Sequence, residues 1–177
     1  MYLVCNSNLL YHASVPLNED GSFKHVRIGT KEYWGHKLLQ KTDQLIRTAY
    51  FDEDGSAEKN FALDYMWYMW CGPDAPSFDK DKMATFERYF VADKELHKET
   101  KGYYYTLRNR ADICDNILTE FGVEPGPHSH IINGHVPVKT IKGEKPIKAD
   151  GKLLVIDGGF SKAYQPETGI AGYTLVY

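Results

Sequence analysis

Two histidines in this sequence stand in nearly the same local context. Each comes at the end of a short apolar run and is followed within three residues by Val-Pro: His12 follows Leu-Leu-Tyr at 9–11, and His135 follows Ile-Ile-Asn-Gly at 131–134. A strand that carries an imidazole at its end holds it on a rigid support, which a metal ligand needs. The repeated context predicts a metal site built from both side chains, and neutral imidazole suits Mn, Fe, Zn and Ni. The alternative is that both histidines are hydrogen-bonded strand residues.

Three polar residues near these runs are further candidates for a site. Asn133, two residues before His135, can contribute an amide oxygen or a hydrogen bond to a ligand. Asp157 follows the apolar run Leu-Leu-Val-Ile at 153–156, and it is either a catalytic carboxylate or the cap of a turn through the two glycines after it. His130 begins the run that leads to His135 and can orient a substrate oxygen.

The sequence predicts strands followed by helices in the first half of the chain. Apolar runs at 2–5, 9–11 and 23–28 predict short antiparallel strands joined by turns. From Thr30, taken as an N-cap, apolar residues at helical spacing predict a helix of about five turns. Residues 61–70 predict a short buried helix that ends at Gly72, and a helix with an apolar face is predicted over 83–90.

The second half changes from helix to strand. Apolar residues from Leu107 to Phe121 predict a helix that Gly122 caps. Short apolar runs at 130–133, 136–141, 153–156 and 173–177 then predict a mostly β segment. Strands at both ends with helices between them indicate an α+β fold in a single domain, 1–177, with a helical insertion at about 30–122. Both chain ends are apolar, which suggests a piece of a larger fold.

Composition excludes several classes of protein. The net charge of -3 and a pI near 6.2 disfavour a nucleic-acid partner, because no basic surface is available. No apolar stretch approaches the roughly 20 residues that cross a bilayer, and the first residues do not form a signal peptide, so a cytoplasmic protein without a membrane partner is expected. Three cysteines without a C-x-x-C pair fit buried thiols.

Longer motifs carry a family resemblance. Asn-Gly-His-Val-Pro at 133–137, Ile-Asp-Gly-Gly at 156–159 and Tyr-His-Ala at 11–13 resemble motifs of calcineurin-like metallophosphoesterases. Four stretches together resemble class III (Firmicutes-type) fructose-1,6-bisphosphatase over nearly the whole chain: 17–23 (LNEDGSF), 66–73 (MWYMWCGP), 85–90 (TFERYF) and 159–164 (GFSKAY).

The resemblance implies that the chain is the C-terminal part of such an enzyme. It implies a partial calcineurin-like sandwich and hydrolysis of fructose 1,6-bisphosphate to fructose 6-phosphate and phosphate, a gluconeogenic step. His12 and His135 would be ligands of a binuclear Mn²⁺ centre, with Asn133 and Asp157 as catalytic residues. The other ligands would lie in a missing N-terminal half, so the isolated chain is expected to be inactive and one alternative is that it binds no metal.

A sugar bisphosphate as the partner needs cationic or hydrogen-bonding contacts. The candidates in the motif-rich segments are Lys162, Lys139, Lys148, Arg88 and His130. The missing half and a second copy in a homo-oligomer are the other expected partners.

Two other functions remain open at this stage. The chain could be a non-catalytic fragment that serves assembly or regulation, in which case the two histidines face an empty cleft. A phosphatase of the same superfamily that acts on dinucleotides or phosphoproteins shares the histidine motifs, but the long helical insertion favours the sugar phosphatases.

Overall fold

The structure, a computed structural model, describes residues 1–163, 165–174 and 176. The described residues form an α+β fold with a mixed sheet, which confirms the predicted class. The strands are β1 (Tyr2–Cys5), β2 (Asn8–Tyr11), β3 (Val26–Ile28), β4 (Lys31–Tyr33), β5 (His130–Asn133), β6 (Ile147–Lys148) and β7 (Leu153–Val155). The helices are α1 (Gly35–Phe51), α2 (Ala57–Cys71), α3 (Thr85–Phe90), α4 (Tyr104–Leu107), α5 (Ala111–Glu120) and α6 (Gln165–Thr168). Short 3-10 turns cover Lys94–His97, Thr140–Lys142 and Ala149–Gly151.

The chain divides into two compact units. Residues 1–14 and 106–177 form one, here called the sheet unit, and residues 15–105 form the other, the helical unit. The sheet unit therefore joins strands from both ends of the sequence. The single domain with an insertion at about 30–122 stays a prediction.

The sheet unit is built on five strands in the order β1-β2-β5-β7-β6. The three central strands, β2, β5 and β7, run parallel, and the edge strands β1 and β6 run antiparallel to their neighbours. Leu9, Ile131 and Leu153 lie opposite one another on these central strands and are fully buried. Helix α5 packs against β5 through an apolar face that is buried at Ile113, Cys114, Ile117 and Leu118.

The alternate residues of the same strands form a second apolar row. Strand pairing aligns Leu3, Leu10, Ile132, Leu154 and Ile147 across all five strands. The two ends of this row are open, since Leu3 is 58% exposed and Ile147 is 61% exposed. A surface hollow of about 450 Å³ is lined by Leu3, Leu10 and Ile132 and extends to His12. Both faces of this sheet are thus apolar, as is usual for parallel strands that are covered on both sides.

In the helical unit, α1 and α2 pack against each other. Leu38, Leu45 and Ala49 of α1 are buried, as their helical spacing predicted. Helix α1 does not begin at Thr30, however. Residues 31–33 form β4, which pairs with β3 in a hairpin whose turn contains Gly29 and Thr30, and the helix begins at Gly35. Gly29 has a φ of 62°, which a glycine adopts without the cost of a Cβ.

Two predictions of burial are wrong, the buried helix at 61–70 and the apolar helix face at 83–90. Helix α2 forms where expected and ends at Gly72, but Ala62, Tyr65 and Met69 are its buried residues, and both of its tryptophans are exposed. Helix α3 buries none of its residues. The charge-dense segment around α3 is fixed by Glu99, which accepts a hydrogen bond from the Ala84 N–H and pairs with Lys80.

The second half of the chain follows the prediction in part. Leu107 lies in α4 and α5 begins at Ala111, so the predicted helix is interrupted. Its capped end is confirmed: Gly122 has a φ of 75° and Val123 N–H donates to Leu118 O. Strands β5 and β7 are confirmed, whereas residues 136–141 contain Pro137 and a 3-10 turn instead of a strand. Tyr173, Thr174 and Val176 are not in a strand, and residues 175 and 177 lie outside the described residues.

The cysteines do not all fit the prediction of buried thiols. All three are free, but Cys5 is exposed and Cys71 is half-buried. Cys114 is buried, and burial raises the pKa of its thiol to about 12, so it is unreactive at neutral pH. Among the described residues, no helix combines the length and the apolar character that a membrane crossing requires.

Candidate functional site

The carboxyl ends of the three parallel strands bring His12, His135 and Asp157 to one edge of the sheet. His12 directly follows β2, His135 lies two residues after β5, and Asp157 lies two residues after β7. Because the strands are parallel neighbours, these positions share an edge. Ligands of open sheets with parallel strands bind beyond that edge.

The two histidine side chains meet there. Nε2 of His12 lies 3.1 Å from Nδ1 of His135, and the rings meet edge to face with centroids 4.9 Å apart. His12 is exposed and His135 is half-buried, so the pair is accessible from solvent. At this distance the two nitrogens either share one proton in a hydrogen bond or direct both lone pairs at one cation.

Backbone and amide hydrogen bonds fix the segments that carry the pair. Gly134 N–H donates to His12 O at 2.9 Å, and Nδ2 of Asn133 donates to Ala13 O at 3.1 Å. Ile156 N–H in turn donates to Asn133 O at 2.8 Å. Asn133 is almost completely buried. Its side chain therefore holds the residue after His12 in place, which is a positioning role within the protein.

His135 itself has an unusual backbone. Its φ is 63°, in the left-handed region that a residue with a Cβ adopts at a cost of roughly 1–2 kcal/mol. Positions of this kind cluster at functional sites, where the surrounding structure holds them. The hydrogen bond from Gly134 N–H to His12 O supplies part of that support.

Asp157 lies next to Gly134, the residue before His135. A Cβ placed on Gly134 would be 3.6 Å from Cβ of Asp157 and 3.8 Å from His12 O, so the three segments converge at Gly134. The carbonyl oxygen of Asp157 accepts a hydrogen bond from Val138 N–H at 3.1 Å. This bond joins the loop after β7 to the loop that follows His135.

The predicted cationic residues divide into two groups. Lys139 directly follows Val138, near Asp157, and Lys162 is exposed on the loop after β7. Lys148 lies at the amino end of β7, where its Nζ donates to Glu144 at 2.5 Å. His130 is likewise at the amino end of β5, with Nδ1 2.8 Å from Gly151 O.

The structure therefore does not bring His130 and Lys148 to the histidine pair. Arg88 belongs to the helical unit, where its Nη2 donates to His97 O at 3.3 Å and lies 3.6 Å from Glu99. The substrate contacts of these three residues stay predictions.

Sequence reasoning missed Glu144, which organises the loop after Lys139. One of its carboxylate oxygens pairs with Lys148 and the other accepts the Lys139 N–H at 2.9 Å. Burial on its own would raise the pKa of Glu144, but these partners more than offset that effect and lower it. A Glu four residues before a Lys was the signal in the sequence.

The pair fits part of a metal shell. Within the described ranges, no group of three or more His, Cys, Asp or Glu side chains is close enough to hold an ion. Two imidazoles supply two donors, whereas Zn²⁺ takes four and the harder divalent ions take about six. Imidazole nitrogen is a donor that suits a transition metal, but a metal ion held by this pair would need further donors, and the metal site stays a prediction.

An α+β chain with an accessible imidazole pair at the carboxyl edge of its parallel strands fits the class of metal-using enzymes. The model of the family described as Firmicute fructose-1,6-bisphosphatase matches residues 1–177, and the chain belongs to that family. This confirms the resemblance seen in the motifs.

Its relatives include proteins named "Fructose-1,6-bisphosphatase class 3". The one from Bacteroides fragilis is 84% identical, the one from Bacteroides thetaiotaomicron 82%, and the one from Clostridium novyi 61%. Each match covers all 177 residues of this chain and 26% of the relative. The chain thus spans about a quarter of their length, and its expected place in the C-terminal part stays a prediction. No solved structure matches the chain.

Proposed function

We propose that this chain is part of a phosphatase that hydrolyses the 1-phosphate of fructose 1,6-bisphosphate and leaves fructose 6-phosphate and orthophosphate, a gluconeogenic reaction. Membership of the family and the names of its relatives support the substrate. The observation that carries the proposal is the approach of His12 and His135 to 3.1 Å at the edge of the sheet.

In this proposal the two imidazoles hold one side of a binuclear Mn²⁺ centre. When bound, such ions supply an ionised water and positive charge for the phosphoryl oxygens. The donors that these residues lack belong to polypeptide outside residues 1–177. The isolated chain is therefore expected to bind metal weakly and not to hydrolyse the substrate.

The chain's own residues orient the ligands. Asn133 holds Ala13 O and thereby the turn after His12, and the bond from Gly134 to His12 O keeps both imidazoles at one edge. Asp157, beside Gly134, provides a carboxylate that can accept a proton or a hydrogen bond at that edge. Lys139 follows β5 and Lys162 follows β7 along the chain, and in this proposal their ammonium groups neutralise phosphate oxygens.

The apolar row from Leu3 to Ile147, which is exposed at both ends, supports a fold in which a second layer covers this face of the sheet. Parallel strands are normally covered on both faces, and the row from Leu3 to Ile147 is apolar across all five strands but exposed at both ends. We infer that a second layer from the rest of the polypeptide packs on this face, as in the calcineurin-like sandwich. The hollow beside Leu10 would then lie between the layers and open onto His12.

The test uses two proteins: residues 1–177 alone, and a polypeptide of the length of the relatives that contains these residues. Mn²⁺-dependent phosphate release from fructose 1,6-bisphosphate is measured for the longer protein as wild type, His12→Ala, His135→Ala and His128→Ala. His128 is an exposed histidine away from the pair and is the matched control. The two ligand substitutions should lower the rate more than about 100-fold, together with bound Mn²⁺, and His128→Ala should change neither.

Several results would contradict the proposal. Full activity of residues 1–177 alone would show that the missing donors are not needed. Unchanged activity of His135→Ala would remove the pair from the site. Release of phosphate from a dinucleotide or a phosphopeptide, but not from the sugar bisphosphate, would keep the metal site and replace the substrate.

A further inference from the structure

Helix α2 has a second apolar face that the helical unit leaves exposed. Its inner face, with Ala62, Tyr65 and Met69, is buried. Leu63, Met66, Trp67 and Trp70, here called the outer stripe, are 47%, 42%, 69% and 68% exposed. Their spacing is i, i+3, i+4 and i+7, which is the spacing of one continuous face of a helix that packs against a partner.

The composition of the outer stripe is that of a binding surface. It contains two tryptophans and a methionine, residue types that are enriched where proteins bind each other, and tryptophan is among the residues enriched at the energetic centre of such contacts. Helix α2 is therefore apolar on two faces in its second half, although Asp64 there is charged, and helices with apolar residues on several sides are normally covered on those sides. The exposed part of the stripe is thus unusual for a surface that stays in water.

The size of the outer stripe distinguishes between possible occupants. With up to about 250 Å² for a whole tryptophan, Trp67 and Trp70 expose at most about 340 Å² together, and Leu63 and Met66 are smaller and less exposed. A stable contact between separate molecules needs about 800 Å² on each partner. A contact within one polypeptide needs less, because the linking chain keeps the local concentration of the partner segment high.

The length of the relatives supplies such a segment. The chain covers 26% of the Bacteroides fragilis relative, which is 84% identical to it, so about three quarters of that protein lies outside the matched residues. We propose that the outer stripe is the docking surface for an apolar segment of the same polypeptide outside residues 1–177. This contact is separate from the histidine pair and does not rest on the proposed catalytic function.

Hydroxyl-radical footprinting read by mass spectrometry tests the contact residue by residue. The oxidation rates of Trp67 and Trp70 are compared between residues 1–177 alone and the polypeptide of the relatives' length, with an added peptide as dose reference. Both rates should fall at least five-fold in the longer protein. Equal rates in the two proteins overturn the proposal, as does protection that is already present in the monomeric shorter chain.

A dilution series and a pair of variants identify the occupant. Light scattering gives the mass of the longer protein at each concentration, and protection should persist in its monomer; protection that is lost on dilution to monomers would mean a second copy and overturn the proposal. In the longer protein, Trp70→Ser should return Trp67 to the oxidation rate of the shorter chain. Tyr50→Ser, which changes an exposed aromatic residue on α1, should leave Trp67 protected. Equal effects of the two variants would contradict a specific contact.

Discussion

The sheet unit and the helical unit use apolar residues in different ways. In the sheet unit, Leu9, Ile131 and Leu153 are fully buried because paired strands fix which residues share a face. In the helical unit, only part of the aromatic run of α2 is buried: Tyr65 is buried, whereas Trp67 is exposed. The apolar runs at 9–11, 130–133 and 153–156 identified buried strands, whereas the apolar run of α2 did not say which sides of the helix are covered.

Both units use a carboxylate to hold a loop, Glu99 in the helical unit and Glu144 in the sheet unit, and the sheet unit adds an accessible imidazole pair. In the helical unit, Glu99 accepts from Ala84 N–H and pairs with Lys80, so the carboxylate holds a loop. In the sheet unit, the imidazoles of His12 and His135 face each other at an accessible edge. The imidazole pair is accessible to a ligand. Substitutions in each unit test how the two units differ in stability and in ligand binding.

The largest effect is expected in the core of the sheet unit. Ile131→Ala in the 177-residue chain removes a fully buried side chain from the central strand and should lower the free energy of unfolding by about 2–5 kcal/mol, because a cavity is left. Urea denaturation followed by circular dichroism measures it. Ile147→Ala, on the exposed end of the opposite row, is the control and should cost less than about 1 kcal/mol. Equal losses would mean that the two rows are covered alike.

A smaller loss is expected at the amide that joins two strand ends. Asn133→Ala leaves Ala13 O without its donor and should cost about 1–3 kcal/mol in the free energy of unfolding. In the longer protein it should also weaken Mn²⁺ binding, because the turn after His12 is released. Asn60→Ala, at an exposed position on α2, is the matched control for denaturation and metal titration. Intact Mn²⁺ affinity in Asn133→Ala would contradict the positioning role.

The helical unit is expected to lose about 1 kcal/mol when α2 loses its cap. Oγ of Ser56 accepts a hydrogen bond from Lys59 N–H at 3.0 Å, and Ser56→Ala removes it. The measurement is the denaturation midpoint of the 177-residue chain, with the exposed Ser161→Ala as control. A loss near that of Ile131→Ala would mean that α2 is as critical to stability as the central strand.

The smallest effect is expected from the ion pair of Glu144. The pKa of this carboxyl is lowered from 4.5 in the folded protein, so the carboxylate form stabilises the fold. That contribution is complete above pH 4.5 and is lost as the pH falls through the lowered pKa. Glu144→Gln should therefore flatten the dependence of stability on pH in the acid range by less than about 1 kcal/mol.

Denaturation midpoints between pH 3 and pH 7 measure this change, with Glu124→Gln at an exposed position as the control. If the profile of Glu144→Gln matches that of the wild type at every pH, the ion pair does not contribute to stability.

Much of the site could be predicted from sequence because its signals are local. The apolar runs before His12 and His135 predicted two strands that end in imidazoles, and the structure has β2 and β5 there. The hairpin of β3 and β4 was missed because Thr30 is a good N-cap as well as a good turn residue. The choice between these roles depends on the pairing of Val26 with Tyr33, which is a tertiary contact.

The amino-acid sequence by itself determined the family, the α+β class and the residue types that can hold a metal. Those features depend on motifs and on local periodicity, which can be read without the fold. The tertiary structure decided that residues 123 positions apart bring Nε2 of His12 within 3.1 Å of Nδ1 of His135. It also decided that His130 and Lys148 lie at the amino ends of β5 and β7. The order and direction of the strands place each side chain at one edge or the other, and they are set by long-range pairing and burial that no single segment encodes.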